Sequence, residues 1–186
     1  MEDKEIVSLF LKRNEAAVSE TQKKYAAYCF SIANNILHSP SIAEESVNDT
    51  WLAAWNSIPP NEPQDLAAYL GKTARYIALK QYRTINTQKR GCGETSVVLD
   101  ELEECIPARD DVESTMILSE LTEILNDFLG KISVSDRRVF IRRYWYFESI
   151  KDIAAFYGFS ESKVKMMLKR TRDKLKAKLD KEGYTI

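Results

Sequence analysis

Histidine is almost absent from this chain and cysteine is scarce. The only histidine is His38, and the three cysteines, Cys29, Cys92 and Cys105, form no Cys-x-x-Cys pair. A structural zinc site needs about four nitrogen or sulfur ligands at close spacing, so no metal site is expected. Nucleophilic or acid–base catalysis needs converging groups such as histidine with cysteine or a carboxylate cluster. No such constellation and no glycine-rich phosphate loop is legible, so neither a catalytic residue nor a cofactor is expected. Six glycines and five prolines in 186 residues are too few for a turn-rich β fold. No apolar run approaches the roughly 20 residues that cross a bilayer. The start, Met1-Glu2-Asp3-Lys4, lacks the basic opening and apolar stretch of a secretory signal. A cytoplasmic protein with no membrane insertion is the expectation.

What the chain does have is helical periodicity and segregated charge. Apolar residues make up 44%, enough to build a core. Ile6, Leu9 and Phe10 mark a first short helix. Val18, Tyr25, Cys29, Ile32 and Ile36 mark a second, running to about His38, with Cys29 as a buried small hydrophobe. A third opens at Pro40 or Ser41 and runs to about Ser57; Pro59, Pro60 and Pro63 then force a loop. A fourth, from about Gln64 to Lys89, carries Leu66, Tyr69, Leu70, Ala74, Ile77 and Tyr82. Residues 90–113 hold Gly91, Gly93, Pro107 and many acids without a sustained period, and read as a flexible linker. Helical register returns at Leu118, Leu121, Leu125, Phe128 and Ile132, and another helix spans about Ser133 to Phe147. The string Tyr144-Trp145-Tyr146-Phe147 reads as core. The expected fold is all-α: two small helical domains at 1–90 and 113–186, joined by a linker at 91–112.

The net charge of −1 conceals an alternation. Residues 1–71 hold 5 basic and 10 acidic side chains, 72–90 hold 6 and none, 91–136 hold 2 and 12, and 137–186 hold 14 and 6. Two separate basic segments imply two contacts with a polyanion. Solvated helix faces are the bland alternative.

The C-terminal basic segment has the pattern of a helix-turn-helix. Ile150, Ile153, Ala154 and Phe156 form a short helix; Gly158 sits where the turn needs positive φ; Ser160 is placed to cap the next helix. Val164, Met167 and Leu168 give that helix an inward face. In such units the second helix enters the major groove by its N-terminal end. Ser162, Lys163, Met166, Lys169 and Arg170 are the outward candidates, with Lys165, Arg172, Lys174 and Lys176 extending toward phosphates. An ordinary basic helical hairpin is the competing reading.

At this point the chain resembles a family. Ser160-Glu-Ser-Lys-Val-Lys-Met-Met-Leu-Lys-Arg-Thr-Arg-Asp-Lys-Leu175 is similar to the region 4 recognition helix of sigma factors, the closest group being the extracytoplasmic-function (ECF) type. Ala43-Glu-Glu-Ser-Val-Asn-Asp-Thr-Trp-Leu-Ala-Ala-Trp55 resembles region 2.2, and Tyr69-Leu-Gly-Lys-Thr-Ala-Arg-Tyr-Ile-Ala-Leu-Lys-Gln-Tyr-Arg83 resembles regions 2.3 and 2.4. The resemblance implies a sigma factor that binds core RNA polymerase and directs promoter recognition. Asn48, Asp49, Trp51, Leu52 and Trp55 would meet the polymerase β′ coiled coil; by period alone Trp51 and Trp55 read as core. Arg75, Lys80, Tyr82, Arg83, Lys89 and Arg90 would hold the melted −10 strand, with Tyr76 a weaker candidate. Ser162, Lys163, Lys165, Met166, Lys169, Arg170 and Arg172 would bind the −35 duplex. The implied partners are core polymerase through the β′ coiled coil and the β flap, promoter DNA, and an anti-sigma factor; the free chain would be a monomer. Two departures stand out. Met166-Met167 replaces the usual Ser-Arg, and Ser149-Ile-Lys-Asp-Ile-Ala154 stands where Glu-Glu-Ile-Ala is usual. A stand-alone helix-turn-helix regulator is the alternative; it leaves the Asn48–Trp55 segment and the basic stretch at 72–90 unexplained. Cys92 and Cys105 leave a thiol switch open.

Overall fold

The structure, a computed structural model, describes residues 1–86, 94–103 and 115–184. Among these every regular element is an α-helix, and the chain divides into two compact units, Met1–Gly91 and Cys92–Ile186.

The first unit holds α1 (Asp3–Leu11), α2 (Ala16–Leu37), α3 (Pro40–Ser57) and α4 (Leu66–Asn86). Helix α2 is the hub, packing against the other three. Its stripe Ala17, Thr21, Tyr25, Cys29, Ile32 and Ile36 is buried at helical spacing. Helix α1 is pinned across it: the Asp3 carboxylate accepts from Lys24 Nζ at 2.8 Å and from the Tyr25 hydroxyl at 2.6 Å. Those two donors hold the Asp3 carboxyl below the usual range. Helix α2 stops at His38 in the left-handed region, φ 50°, and Pro40 opens α3 at the position where a missing N–H costs nothing. Ala43, Val47, Thr50, Trp51 and Ala54 are its inward face. On α4 the inward row is Leu66, Leu70, Ala74 and Ala78, one residue per turn and small toward the C-terminus. Gly71 leaves room for the end of the Tyr28 side chain on α2: a Cβ there would lie 3.1 Å from Tyr28 Cζ and nearer still to its hydroxyl, so the ring would have to shift.

The second unit holds α5 (Glu94–Glu103), α6 (Thr115–Lys131), α7 (Val134–Tyr144), α8 (Ile150–Tyr157) and α9 (Glu161–Lys181). Serine caps start its last three helices: Ser133, Ser149 and Ser160 each accept from the backbone N–H three residues on, at 3.1, 3.1 and 3.2 Å. The turn between α7 and α8 places Phe147 at φ 56° and buries its ring to 1% exposure. Tyr144 is also buried and Tyr146 half-buried, while Trp145 is 36% exposed, so core describes most of the aromatic string.

One expectation needs correction. Residues 94–103, assigned to the linker, form α5 and pack against α7. Thr95 and Val98 are fully buried there and Leu102 is half-buried, an i, i+3, i+7 row. Its acidic neighbours masked that row in the sequence.

Candidate nucleic-acid and polymerase interfaces

Three surfaces carry the candidate residues. The first is the outer ridge of α3. Glu44, Glu45, Asn48, Asp49 and Leu52 are exposed at i, i+1, i+4, i+5 and i+8, so one face of a single helix is acidic and ends in an apolar side chain. Leu52 is 59% exposed. The ridge has two flanks. Asn48 and Leu52 border a groove shared with α2, lined also by Val18, Gln22, Trp51 and Trp55. Asp49 borders another, shared with α4 and lined by Tyr76, Lys80 and Gln81. There Gln81 Nε2 donates to Asp49 Oδ2 at a long 3.5 Å. Trp51 is 4% exposed, so it supports the ridge as the floor of the α2–α3 groove and does not stand on it. Trp55 is half-buried, with the Arg13 guanidinium 5.5 Å from its ring centroid and also donating to its carbonyl. For Trp51 the reading as core by period alone is the nearer one; Trp55, half-buried on the groove, fits both readings. Neither opposes the ridge, because both tryptophans line the groove that flanks it.

The second surface is α4. Lys72, Tyr76, Lys80 and Arg83 share one exposed row at i, i+4, i+8 and i+11. Tyr76, the weaker candidate by sequence, is 68% exposed. Arg75 and Tyr82 lie on a different edge and are half-buried. Burial pushes the Arg75 guanidinium down to about 10, a loss of hydration that an open phosphate contact does not impose. Lys89 and Arg90 lie outside the described residues. The row thus gains Lys72, legible in hindsight as the i−8 neighbour of Lys80, and gives the weaker candidate Tyr76 an exposed place at i−4.

The third surface is α9 with its turn. Gly158 has φ 65° and ψ 31°, and Val164, Leu168, Thr171, Leu175 and Leu179 form the buried face. The expected helix-turn-helix is present. Ser162, Lys163, Lys165, Met166, Lys169 and Arg170 are all exposed, Met166 by 52%. Lys163 Nζ stands 3.6 Å from the Phe159 ring centroid, which steadies a cation placed in the first turn, where the helix dipole disfavours it. On α7, Arg142 lies 3.5 Å from the Phe156 ring centroid and donates to both Glu148 oxygens at 2.8 and 2.6 Å. Arg172 departs from expectation. Its side chain is 18% exposed, and its Nη1 donates to the Tyr144 hydroxyl at 2.7 Å and to Glu101 Oε2 at 3.4 Å. It lies on the flank of α9 nearest α7, so a carboxylate and a phenol meet it before solvent does.

This order of parts, an acidic α3, a basic α4 and a basic C-terminal helix-turn-helix, is that of two known domain types. Residues 22–87 match the family model for Sigma-70 region 2, and residues 128–177 match that for Sigma-70, region 4. The chain belongs to the sigma-70 family. No curated protein matches it. Sigma regions 2 and 4 are domains of transcription initiation factors that bind RNA polymerase and recognise promoters. The region 2 match runs from within α2 to the end of α4, and so covers the ridge and the basic row. The region 4 match takes in α7, α8 and the first 17 residues of α9. Helix α5 falls between the two matched segments. Among the described residues no helix is long and apolar enough to cross a membrane, and no cluster of His, Cys, Asp and Glu could hold a metal.

Proposed function

We propose that this sigma-70 family chain is of the ECF type, using regions 2 and 4 alone to bring core polymerase to a promoter, in the cytoplasm, with no bond made or broken by its own residues. The single observation that supports it best is that the exposed rows of both matched domains fit their tasks. The α3 ridge is the amphipathic, acidic kind of helix face that docks on a partner helix, and we assign it to the β′ coiled coil. The α4 row offers cations for backbone and a tyrosine for stacking on unpaired bases. The N-terminal half of α9 offers Ser162, Lys163, Met166 and Arg170 to a major groove. Met166 gives that row an apolar contact, of the kind that meets a thymine methyl, where the family more often has a polar one. Region 4 would also engage the β flap.

The two DNA contacts are individually weak. Joined through one polymerase they act together by effective concentration. An anti-sigma factor would hold the chain inactive, and the free chain would be monomeric. The test is run-off transcription: core polymerase with the purified chain, supplied with duplexes randomised around a −35 and a −10 element. Enriched transcripts sharing both elements at a fixed spacing support the reading. Binding to a symmetric operator by a dimer, with no transcript, supports the stand-alone regulator instead.

A further inference from the structure

Arg172 shares a row of α9 with Lys165, Lys169 and Lys176, spaced i, i+4, i+7 and i+11. The three lysines are exposed, and Arg172 alone is drawn inward. Two groups draw it: the Tyr144 hydroxyl on α7 and, at a longer distance, the carboxylate of Glu101, which is 71 residues away in sequence and belongs to α5, outside the segment matched to region 4. Glu101 holds three groups at once. Arg143 donates to its two oxygens at 3.2 and 3.4 Å, the Tyr144 hydroxyl donates to Oε2 at 2.8 Å, and Arg172 donates to Oε2 at 3.4 Å. The Tyr144 hydroxyl also accepts from Arg172 at 2.7 Å. Burial raises the pKa of the Tyr144 phenol well above its usual range, so the hydroxyl keeps its proton and can both accept and donate. The helix that delivers Glu101 is seated by fully buried Thr95 and Val98. It lies in the stretch 91–136, which holds 12 acidic and 2 basic side chains.

We infer that α5 is an intramolecular clamp on the DNA-binding unit: Glu101 occupies Arg172 in place of a DNA phosphate, so the free chain binds duplex DNA one contact short. This rests on the reading that α9 binds duplex. The chemistry is exchange of one anion for another. The guanidinium nitrogen that reaches Glu101, Nη1, can donate to a phosphate oxygen in its place. The carboxylate wins in the free chain because it is tethered beside its target, an advantage of effective concentration rather than of bond strength. A duplex on the lysine row presents phosphates to the flank where Arg172 emerges, and then competes for it.

The experiment measures binding of the full chain to a labelled duplex of arbitrary sequence, since a phosphate contact is independent of sequence. Glu101→Gln removes the carboxylate charge and keeps the side chain's shape. Asp100→Asn, at the exposed neighbouring position, removes the same charge without touching the cluster. One added phosphate contact steepens the salt dependence by about 0.9 in log–log slope, so affinity should drop about 3.5-fold further between 50 and 200 mM salt. Glu101→Gln is expected to bind more tightly at 50 mM salt and to show this steeper slope. Asp100→Asn is expected to match the wild type in slope, and adding Arg172→Gln to Glu101→Gln should return the slope to the wild-type value. A second readout needs no variant: backbone amides of α5 should lose hydrogen-exchange protection when saturating duplex is added, while those of α9 keep it. Equal slopes for Glu101→Gln and Asp100→Asn overturn the proposal, as does α5 protection unchanged on saturated DNA. If no chain binds duplex at 50 mM salt, the DNA reading of α9 fails and takes the clamp with it, an outcome distinct from equal slopes.

Discussion

Gly158 should tolerate substitution in an order set by backbone conformation alone. It lies at φ 65° and ψ 31°, between α8 and α9, and a Cβ added there meets nothing within 4 Å. An added Cβ therefore meets no steric obstacle. For an L-residue the left-handed conformation costs about 1–2 kcal/mol, less for asparagine, whose short polar side chain bonds locally. Gly158→Ala should cost about 1–2 kcal/mol, a factor of about 5–30 in the opening equilibrium of the second unit. Gly158→Asn should cost less, and Gly158→Val more, because a β-branched residue is the hardest to place at positive φ. Amide hydrogen exchange at buried Val164 and Leu168 reads this unit by itself, which a whole-chain melt of two units does not. Exchange should quicken in the order Gly, Asn, Ala, Val. If alanine matches glycine, or asparagine is worse than alanine, the turn is not held by the left-handed residue and the reasoning fails.

Other expectations follow from the same kind of reading. Cys29 is fully buried in α2, and loss of solvation raises its thiol from 9.0 to about 12. In a chain carrying Cys92→Ser and Cys105→Ser, alkylation of Cys29 at a fixed pH should track unfolding of the first unit. The raised pKa contributes stability present below pH 9 and lost as pH rises toward about 12. The depressed Asp3 carboxyl has the opposite sign: its contribution is present above its unfolded pKa and is lost as pH falls through the folded value. Asp3→Asn should flatten the acid limb of first-unit stability, seen in urea melts repeated across pH. Arg142→Lys should loosen the α7–α8 corner, because a compact ammonium that bonds Glu148 has no flat guanidinium left to lay on the Phe156 ring. Exchange at Ile153 reports it, and unchanged protection there would refute it.

The helices, their caps and the helix-turn-helix were legible because each depends on residues within one or two turns. Ser160, Gly158 and the row Val164, Leu168, Leu175 say the same thing locally and in the fold. What was not legible depends on elements far apart. A register shows that Lys165, Lys169, Arg172 and Lys176 share a side. It cannot show that a carboxylate 71 residues away will cover one of them. The acidic composition at 94–103 suggested a linker, yet Thr95, Val98 and Leu102 face inward and Glu101 bonds Arg143 and Tyr144, which together seat a short helix against α7. On α4 the choice between Arg75 and Tyr76 turned on which edge α2 and α3 cover, and a basic segment gives no such direction. Trp51 followed the opposite path, with its period pointing inward and the resemblance outward. Its place on the groove floor satisfies the period.

The most direct test of the account is retention of core RNA polymerase by the purified full chain. The variants are Asp49→Arg and Leu52→Arg, both at exposed positions of the α3 ridge. Trp51→Ala is unsuitable, since truncating a side chain that is 4% exposed costs about 3–5 kcal/mol of first-unit stability and confuses folding with binding. The account predicts that the wild-type chain retains polymerase and that both variants lose it while keeping wild-type circular dichroism and melting. A folded wild-type chain, free of any co-purified inhibitor, that retains no polymerase contradicts the account. So do two ridge variants that retain it as well as the wild type.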